Sequence, residues 1–244
     1  MIFNLFKAKP TLKELIPDGF VDIHSHILPG IDDGATNIEE SLKLITEMKK
    51  IGFGKIIATP HTYTGLYDNT VESIKKSFDK INKVSILKSK LSYASEYLID
   101  NSIILKANNQ TLLTIKDNFV LIEFSFAGMP INTKEILFEL QTNGYIPILA
   151  HPERYDFLFN AGQNKLISEL KKFGCYFQLN LFSLIGYYGN KVLWQSQELL
   201  KNNIIDFVGS DIHRIDQISL FEKKIKIKNY KALENLAERN EIFL

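Results

Sequence analysis

The chain has 244 residues, of which 45% are hydrophobic and 23% charged, and its formal net charge is +1. That composition suits one substantial core and supplies no strong field to draw in nucleic acid or an anionic membrane. A single cysteine, Cys175, excludes an internal disulfide and fits a reducing compartment. Within GCYFQLN it reads as a small buried apolar residue rather than a reactive thiol.

The opening segment, MIFNLFKAKPTLKELIP, lacks the apolar run and small-residue cleavage site of a signal peptide. No stretch approaches the ~18 apolar residues that a membrane span needs. Phe3, Leu5 and Phe6 beside Lys7 and Lys9 are expected to pack on the fold or fray, not to seat in a membrane surface. Seven strand-like runs follow: FVDIH (20–24), KIIATP (55–60), LSYASEY (91–97), FVLIEFS (119–125), YIPILAH (145–151), CYFQLNL (175–181) and IDFVGSD (205–211). Helical patterns separate most of them. After Asn37, Ile38, Leu42, Ile45 and Met48 share one face and Gly52 stops the run. After Thr70, Val71, Ile74, Phe78 and Ile81 repeat the spacing. TKEILFELQTNG ends at Gly144, the segment 162–173 at Gly174, and VLWQSQELLKNN leads into the last strand. The last forty or so residues are helical in character, and KKIKIKNYK (223–231) reads as a solvated face.

Strand then helix, repeated, argues for a mostly parallel sheet with covering helices. An open doubly wound sheet and a closed barrel both fit. The barrel is favoured because no glycine-rich dinucleotide fingerprint follows a strand and polar residues gather at strand C-terminal ends, where barrels build their sites. With no repeat, low-complexity linker or clear boundary, residues 1–244 are expected to form one domain, with 1–19 as an N-terminal extension.

The five histidines, His24, His26, His61, His151 and His213, all fall at or just beyond strand ends. Glu96, Glu123 and Asn180 take comparable places, and the final strand ends in Asp211. Asp32 and Asp33 follow the first histidine pair; either could join the set. A barrel would bring these ends onto one rim. Clustered acids need cations, and imidazole with carboxylate suits zinc, manganese or iron. The number of candidates exceeds one ion's needs and fits two or three. Such a site activates water for an in-line phosphoryl displacement.

Together, DIHSHILPGIDDGA, ATPH, LIEF, AHPER, SLIGYYG and GSDIH, in that order, resemble the PHP (polymerase and histidinol phosphatase) superfamily. Within it they are similar to the metal-dependent protein-tyrosine phosphatases of Gram-positive capsule and exopolysaccharide clusters. The resemblance implies a distorted (β/α)7 barrel with three divalent ions at the C-terminal rim, manganese first, with iron or zinc compatible. It implies a first ion on His24, His26, Glu96 and Asp211, a second on Glu96, Glu123 and His151, and a third on Asp33, His61 and His213. It also implies a phosphate-binding Arg154, one of only three arginines. The family usually has another arginine a few residues beyond the last histidine. Residues 215–219 contain none, so Arg214 is expected to take that place. A second histidine often follows ATPH in the family; here it is Thr62.

The function implied is hydrolysis of phosphotyrosine by in-line attack of a metal-bound hydroxide. Arg154, Asp211, His213 and Arg214 are its catalytic residues, and His213 or a metal-bound water gives the leaving group its proton. The implied substrate is a tyrosine-phosphorylated protein, the tail of a bacterial tyrosine kinase controlling exopolysaccharide synthesis. The implied location is the cytoplasm, at the inner face of the membrane through that substrate. Rival readings are a phosphoesterase for a small substrate such as histidinol phosphate, and a non-catalytic regulator of polysaccharide export. Nothing in the charge pattern supports a nucleic-acid groove.

Overall fold

The structure, a computed structural model, describes residues 9–84, 90–159, 163–228 and 230–244. Phe3, Leu5 and Phe6 lie outside the described residues. Residues 9–19 dock on the fold: α1 (Leu12–Leu15) is held by a Thr11–Glu14 capping box, and Leu12 N–H donates to the Lys223 carbonyl at 3.1 Å.

Among the described residues the seven expected strands appear as nine: β1 (Phe20–Asp22), β2 (Phe53–Ala58), β3 (His61–Thr62), β4 (Leu91–Tyr93), β5 (Glu96–Leu98), β6 (Phe119–Glu123), β7 (Ile146–Ala150), β8 (Tyr176–Asn180) and β9 (Phe207–Gly209). The extra two come from interruptions. Thr59–Pro60 separates β2 from β3, because Pro60 offers no N–H to a ladder. Ala94–Ser95 separates β4 from β5. Every strand pair is parallel. The pairing gives two sheets, β1-β2-β4 and β3-β5-β6-β7-β8-β9, so the expected barrel is not one unbroken ladder.

What joins β1 to β9 is of another kind. The Asn240 side chain donates to the Val21 and Val208 carbonyls at 2.8 and 2.6 Å. The Asp22 carboxylate accepts from Ser210 N–H and hydroxyl at 2.9 and 2.6 Å. Beyond the strand ends, Asp211 N–H donates to the His24 carbonyl and His26 N–H to that of Ile212, both at 2.8 Å.

The helices lie where the periodicity expects them. α2 (Ile38–Ile51) starts at Asn37, whose side chain accepts from Glu40 N–H, and stops at Gly52 with φ 124°. α3 (Val71–Val84) follows Thr70. α4 (Asn101–Asn108) is not expected from the pattern: its NSIILKAN is apolar on several sides, and Leu105 is exposed. α5 (Thr133–Thr142), α6 (Gln163–Lys172) and α7 (Asn190–Lys201) match their segments. α8 (Lys231–Arg239) closes the chain with a short 3-10 turn. The lysine-rich 223–228 stretch alternates exposed lysines with buried Ile225 and Ile227.

The pleat sorts side chains between two cores. Val120, Ile122, Leu149, Phe177 and Leu179 pack outward against the helices. Val21, Ile57, Leu121, Ile148, Ala150 and Phe207 form a separate cluster, with Phe243 against it. On β6, Leu121 and Glu123 therefore share a face, the acid lying one step nearer the strand's C-terminal end. That step is where the apolar plug stops and the polar rim begins.

Candidate metal centre

The structure brings all nine expected ligand side chains into one mouth. The innermost four are His24, His26, Glu96 and Asp211, each at most 2% exposed. His24 Nε2 lies 3.2 Å from His26 Nε2, 3.1 Å from Glu96 Oε2 and 3.3 Å from Asp211 Oδ1. His26 Nε2 lies 3.4 Å from both Glu96 Oε2 and Asp211 Oδ1. An ion bound tetrahedrally at about 2.05 Å holds its ligands about 3.3 Å apart. Five edges of such a tetrahedron are thus in place, while Glu96 and Asp211 fall in separate groups, His24, His26 and Glu96 in one and His24, His151 and Asp211 in the other.

Nearer solvent, Asp33 Oδ1 lies 3.5 Å from His61 Nε2 and 3.4 Å from His213 Nε2. His26 joins these three in a group with ligand spacing. Glu96 Oε1 reaches His151 Nε2 at 3.1 Å. Glu123 Oε1 instead meets His61 Nδ1 at 2.8 Å, and His61, Glu96 and Glu123 come together at ligand spacing. The expected set of Glu96, Glu123 and His151 thus meets through the shared Glu96, with His61 between the acids.

The donor set fits divalent ions. Glu96 Oε2, His61 Nδ1 and His151 Nδ1 are buried without a hydrogen-bond partner, although His61 Nδ1 stands 3.1 Å from Glu96 Oε2. Close approach without hydrogen-bond geometry is what lone pairs aimed at a common point produce. Electrostatics agree. Burial pulls the His24 imidazolium down, but Glu96 and Asp211 outweigh it and lift it to about 9. Burial opposes the Asp211 and Glu96 carboxylates, yet the surrounding histidines hold both well below the usual range. The pocket stabilises positive charge at its centre.

Two of the ligand candidates sit on strained backbone. His151 has φ 35° and Asp211 φ 52°, the left-handed region that few non-glycine residues adopt. On β7, Ile148 and Ala150 face inward, so the pleat alone would send His151 outward. The left-handed turn before Pro152 returns it to the mouth.

Around the ligand candidates stands a layer that fixes them. The Asp32 carboxylate, its side chain shut off from solvent, accepts from His26 Nδ1 at 2.8 Å and from the N–H groups of Gly34 and His61 at 3.0 and 3.2 Å. The two adjacent aspartates thus divide their roles: Asp33 sits among the outer histidines and Asp32 orients His26. Gln178 Oε1 meets His24 Nδ1 at 2.7 Å, and Asn180 Nδ2 donates to Asp211 Oδ2 at 2.7 Å. Gln178 is not among the residues that the sequence singles out. Its signal was CYFQLN, where Gln178 and Asn180 share a face.

Arg154 Nη1 donates to Asp211 Oδ2 at 2.9 Å, and its side chain is 23% exposed. Its guanidinium lies between the rings of Phe126 and Tyr188, 4.8 and 4.4 Å from their centroids. Arg214 is not brought to the mouth. Its side chain is 64% exposed, with Nε 3.6 Å from Asp216 Oδ1. The backbone there is extended (φ −136°, ψ 154°), so successive side chains point opposite ways, and with His213 turned inward Arg214 faces out. Cys175 is 2% exposed, and burial pushes its thiol up to about 12, as suits an inert core residue.

A family model described as capsular polysaccharide synthesis, CpsB/CapC, matches residues 20–228. The chain belongs to the CpsB/CapC family. Its relatives include CapC of Staphylococcus aureus, 33% identical over 92% of this chain and 91% of that one. Tyrosine-protein phosphatase YwqE of Bacillus subtilis is 32% identical over 80% of this chain and 78% of its own. A solved structure from work on YwqE and Streptococcus pneumoniae CpsB, described as unique metal-dependent tyrosine phosphatases, superposes with a TM-score of 0.79. It is 30% identical and covers 92% of this chain and 94% of that one. Within the CpsB/CapC match lie all nine ligand candidates and Arg154; residues 1–19 precede it.

Proposed function

We propose that this CpsB/CapC protein is a metal-dependent protein-tyrosine phosphatase. The observation that carries the reading is the convergence of five histidines with Asp33, Glu96, Glu123 and Asp211 at ligand spacing, in a chain whose relatives are named tyrosine-protein phosphatases. In this reading residues 1–244 form one PHP-type domain, and the two sheets are arcs of one distorted (β/α)7 ring. The mouth holds three divalent ions, manganese first. His24, His26, Glu96 and Asp211 would hold one, Glu96, Glu123 and His151 a second, and Asp33, His61 and His213 a third. Such ions supply Lewis acidity and a water whose pKa falls towards ~7.

The chain's own residues do the rest. Arg154 is held flat by two rings and one carboxylate, so its remaining N–H groups meet phosphate oxygens without reorganisation. Asp211 keeps both Arg154 and the inner histidines in register. His213, with Nδ1 2.9 Å from the Asp211 carbonyl and Nε2 facing Asp33, would serve as a ligand, and the departing phenolate, with a pKa near ~10, needs little help and takes its proton from water. The substrate in this reading is a phosphotyrosine protein, the tail of a tyrosine kinase of polysaccharide export, met in the cytoplasm. No helix among the described residues is long and apolar enough to cross a membrane.

The test is turnover of a phosphotyrosine peptide and of histidinol phosphate by manganese-loaded and chelated protein, side by side. Metal-dependent release of phosphate from the peptide, well above that from histidinol phosphate, is the expected result. Preference for histidinol phosphate would replace the substrate assignment, and inactivity with manganese bound would remove the catalytic one.

A further inference from the structure

Two tight turns beside the metal-ligand mouth hold large apolar side chains in water. The first follows β3. Tyr63 and Tyr67 exchange backbone hydrogen bonds of 2.9 and 2.8 Å, Gly65 takes φ +83°, and Leu66 at the tip is 63% exposed. Asn69 anchors this turn, its side chain donating to the Ile31 and His61 carbonyls, each at 2.8 Å. The second follows β6, where Gly128 N–H donates to the Ser125 carbonyl at 3.1 Å and Phe126 is 57% exposed. Both turns border one cleft of about 300 Å³ whose lining also includes Asp33, His61 and Glu123.

A single exposed apolar residue needs no explanation. Two, on separate hydrogen-bonded turns around the same cleft, mark a surface kept apolar at some cost to solubility. Each wall is tied to the site. Tyr67 stacks on His61, with centroids 5.5 Å apart and planes 13° from parallel. Phe126 carries the Arg154 guanidinium on its ring. Among the described residues, only Asp33, His61 and Glu123 bring charge to the cleft, all three ligand candidates, so its remaining walls are uncharged.

We infer that Leu66, Tyr67 and Phe126 form a slot for the aryl ring of an aromatic phosphate monoester and set a preference for aryl over alkyl phosphates. The inference rests on the phosphatase reading above. An aryl phosphate places its ring one oxygen away from phosphorus. With phosphate held at Arg154 and the ligand cluster, the ring enters between the two turns, where flat apolar walls match its faces.

The experiment is calorimetric binding of benzylphosphonate and methylphosphonate to the manganese-loaded full chain, with KM and kcat for phosphotyrosine peptide measured in parallel. Leu66→Ala should weaken benzylphosphonate about three- to tenfold, raise KM by a similar factor, and leave kcat and methylphosphonate affinity unchanged. Leu66→Met should restore binding. Equal loss for both ligands, no loss for either, or a wild type that binds neither overturns the slot. A wild type that prefers benzylphosphonate yet hydrolyses no phosphate ester would keep the slot and refute the phosphatase reading.

Discussion

Asp211 is bound on both of its oxygens. One oxygen faces His24 and His26, the other accepts from Arg154 and Asn180. Asp211→Asn preserves shape and removes charge, so bound manganese and kcat should both fall, the latter by more than about a hundredfold. Asp32→Asn, which weakens the hold on His26 and on the Gly34 and His61 N–H groups without removing a ligand candidate, should cost less, about ten- to a hundredfold. Elemental analysis and steady-state kinetics on the same preparations check the order. Glu153, beside Arg154, gives a pH signature. Its Oε1 accepts from Asn180 N–H and the Ser183 hydroxyl, and burial raises its carboxyl to about 7. A raised acid holds its proton longer folded than unfolded, so its burial destabilises increasingly from about pH 4.5 to 7 and levels off above. Glu153→Gln should gain on the wild type across that window, by up to about 3 kcal/mol. Thermal melts in chelator at pH 5 and 8 read it; a difference that shrinks towards pH 8 would refute the assignment.

At the scale of elements, the HILPGIDDGA turn shows why spacing alone could find the site. The turn folds back on its own start, with Ala35 N–H donating to the His26 carbonyl at 3.0 Å. A Cβ on Gly34 would stand 1.9 Å from that carbonyl oxygen. Gly34→Ala must therefore push Asp32 and Asp33 off the histidines, at a cost of about 3 kcal/mol or more. Denaturant midpoints and metal stoichiometry should fall together. The strand ends were legible because a period of two carries each inward apolar run one step further to a polar residue, as from Leu121 to Glu123. The left-handed turn at His151 hides from that rule but preserves its outcome. Three features were not legible. α4 has no single apolar face. The break at Thr59–Pro60 divides one apolar run between two sheets. Arg214 was placed by adjacency in sequence, and extended backbone sends neighbours to opposite sides.

Across the whole molecule, the outer core and the inner plug make the sheets rigid, while the gap between β1 and β9 is laced by side chains. Asn240, fully buried, makes three of those bonds, to the Val21 carbonyl and to both polar groups of Val208. Asn240→Leu would leave those groups unpaired, costing about 3 kcal/mol. Because His24 and Asp211 lie just beyond the laced strands, divalent affinity should fall as well. Urea unfolding and manganese titration of this variant measure the two effects, and normal metal affinity in a destabilised variant would separate seam from site. The seam also imposes an order in time. The first histidines emerge from the ribosome more than two hundred residues ahead of the amide that cinches their strand to its neighbour. Until residue 240 joins the seam, the cup that those histidines line is unfinished on one side.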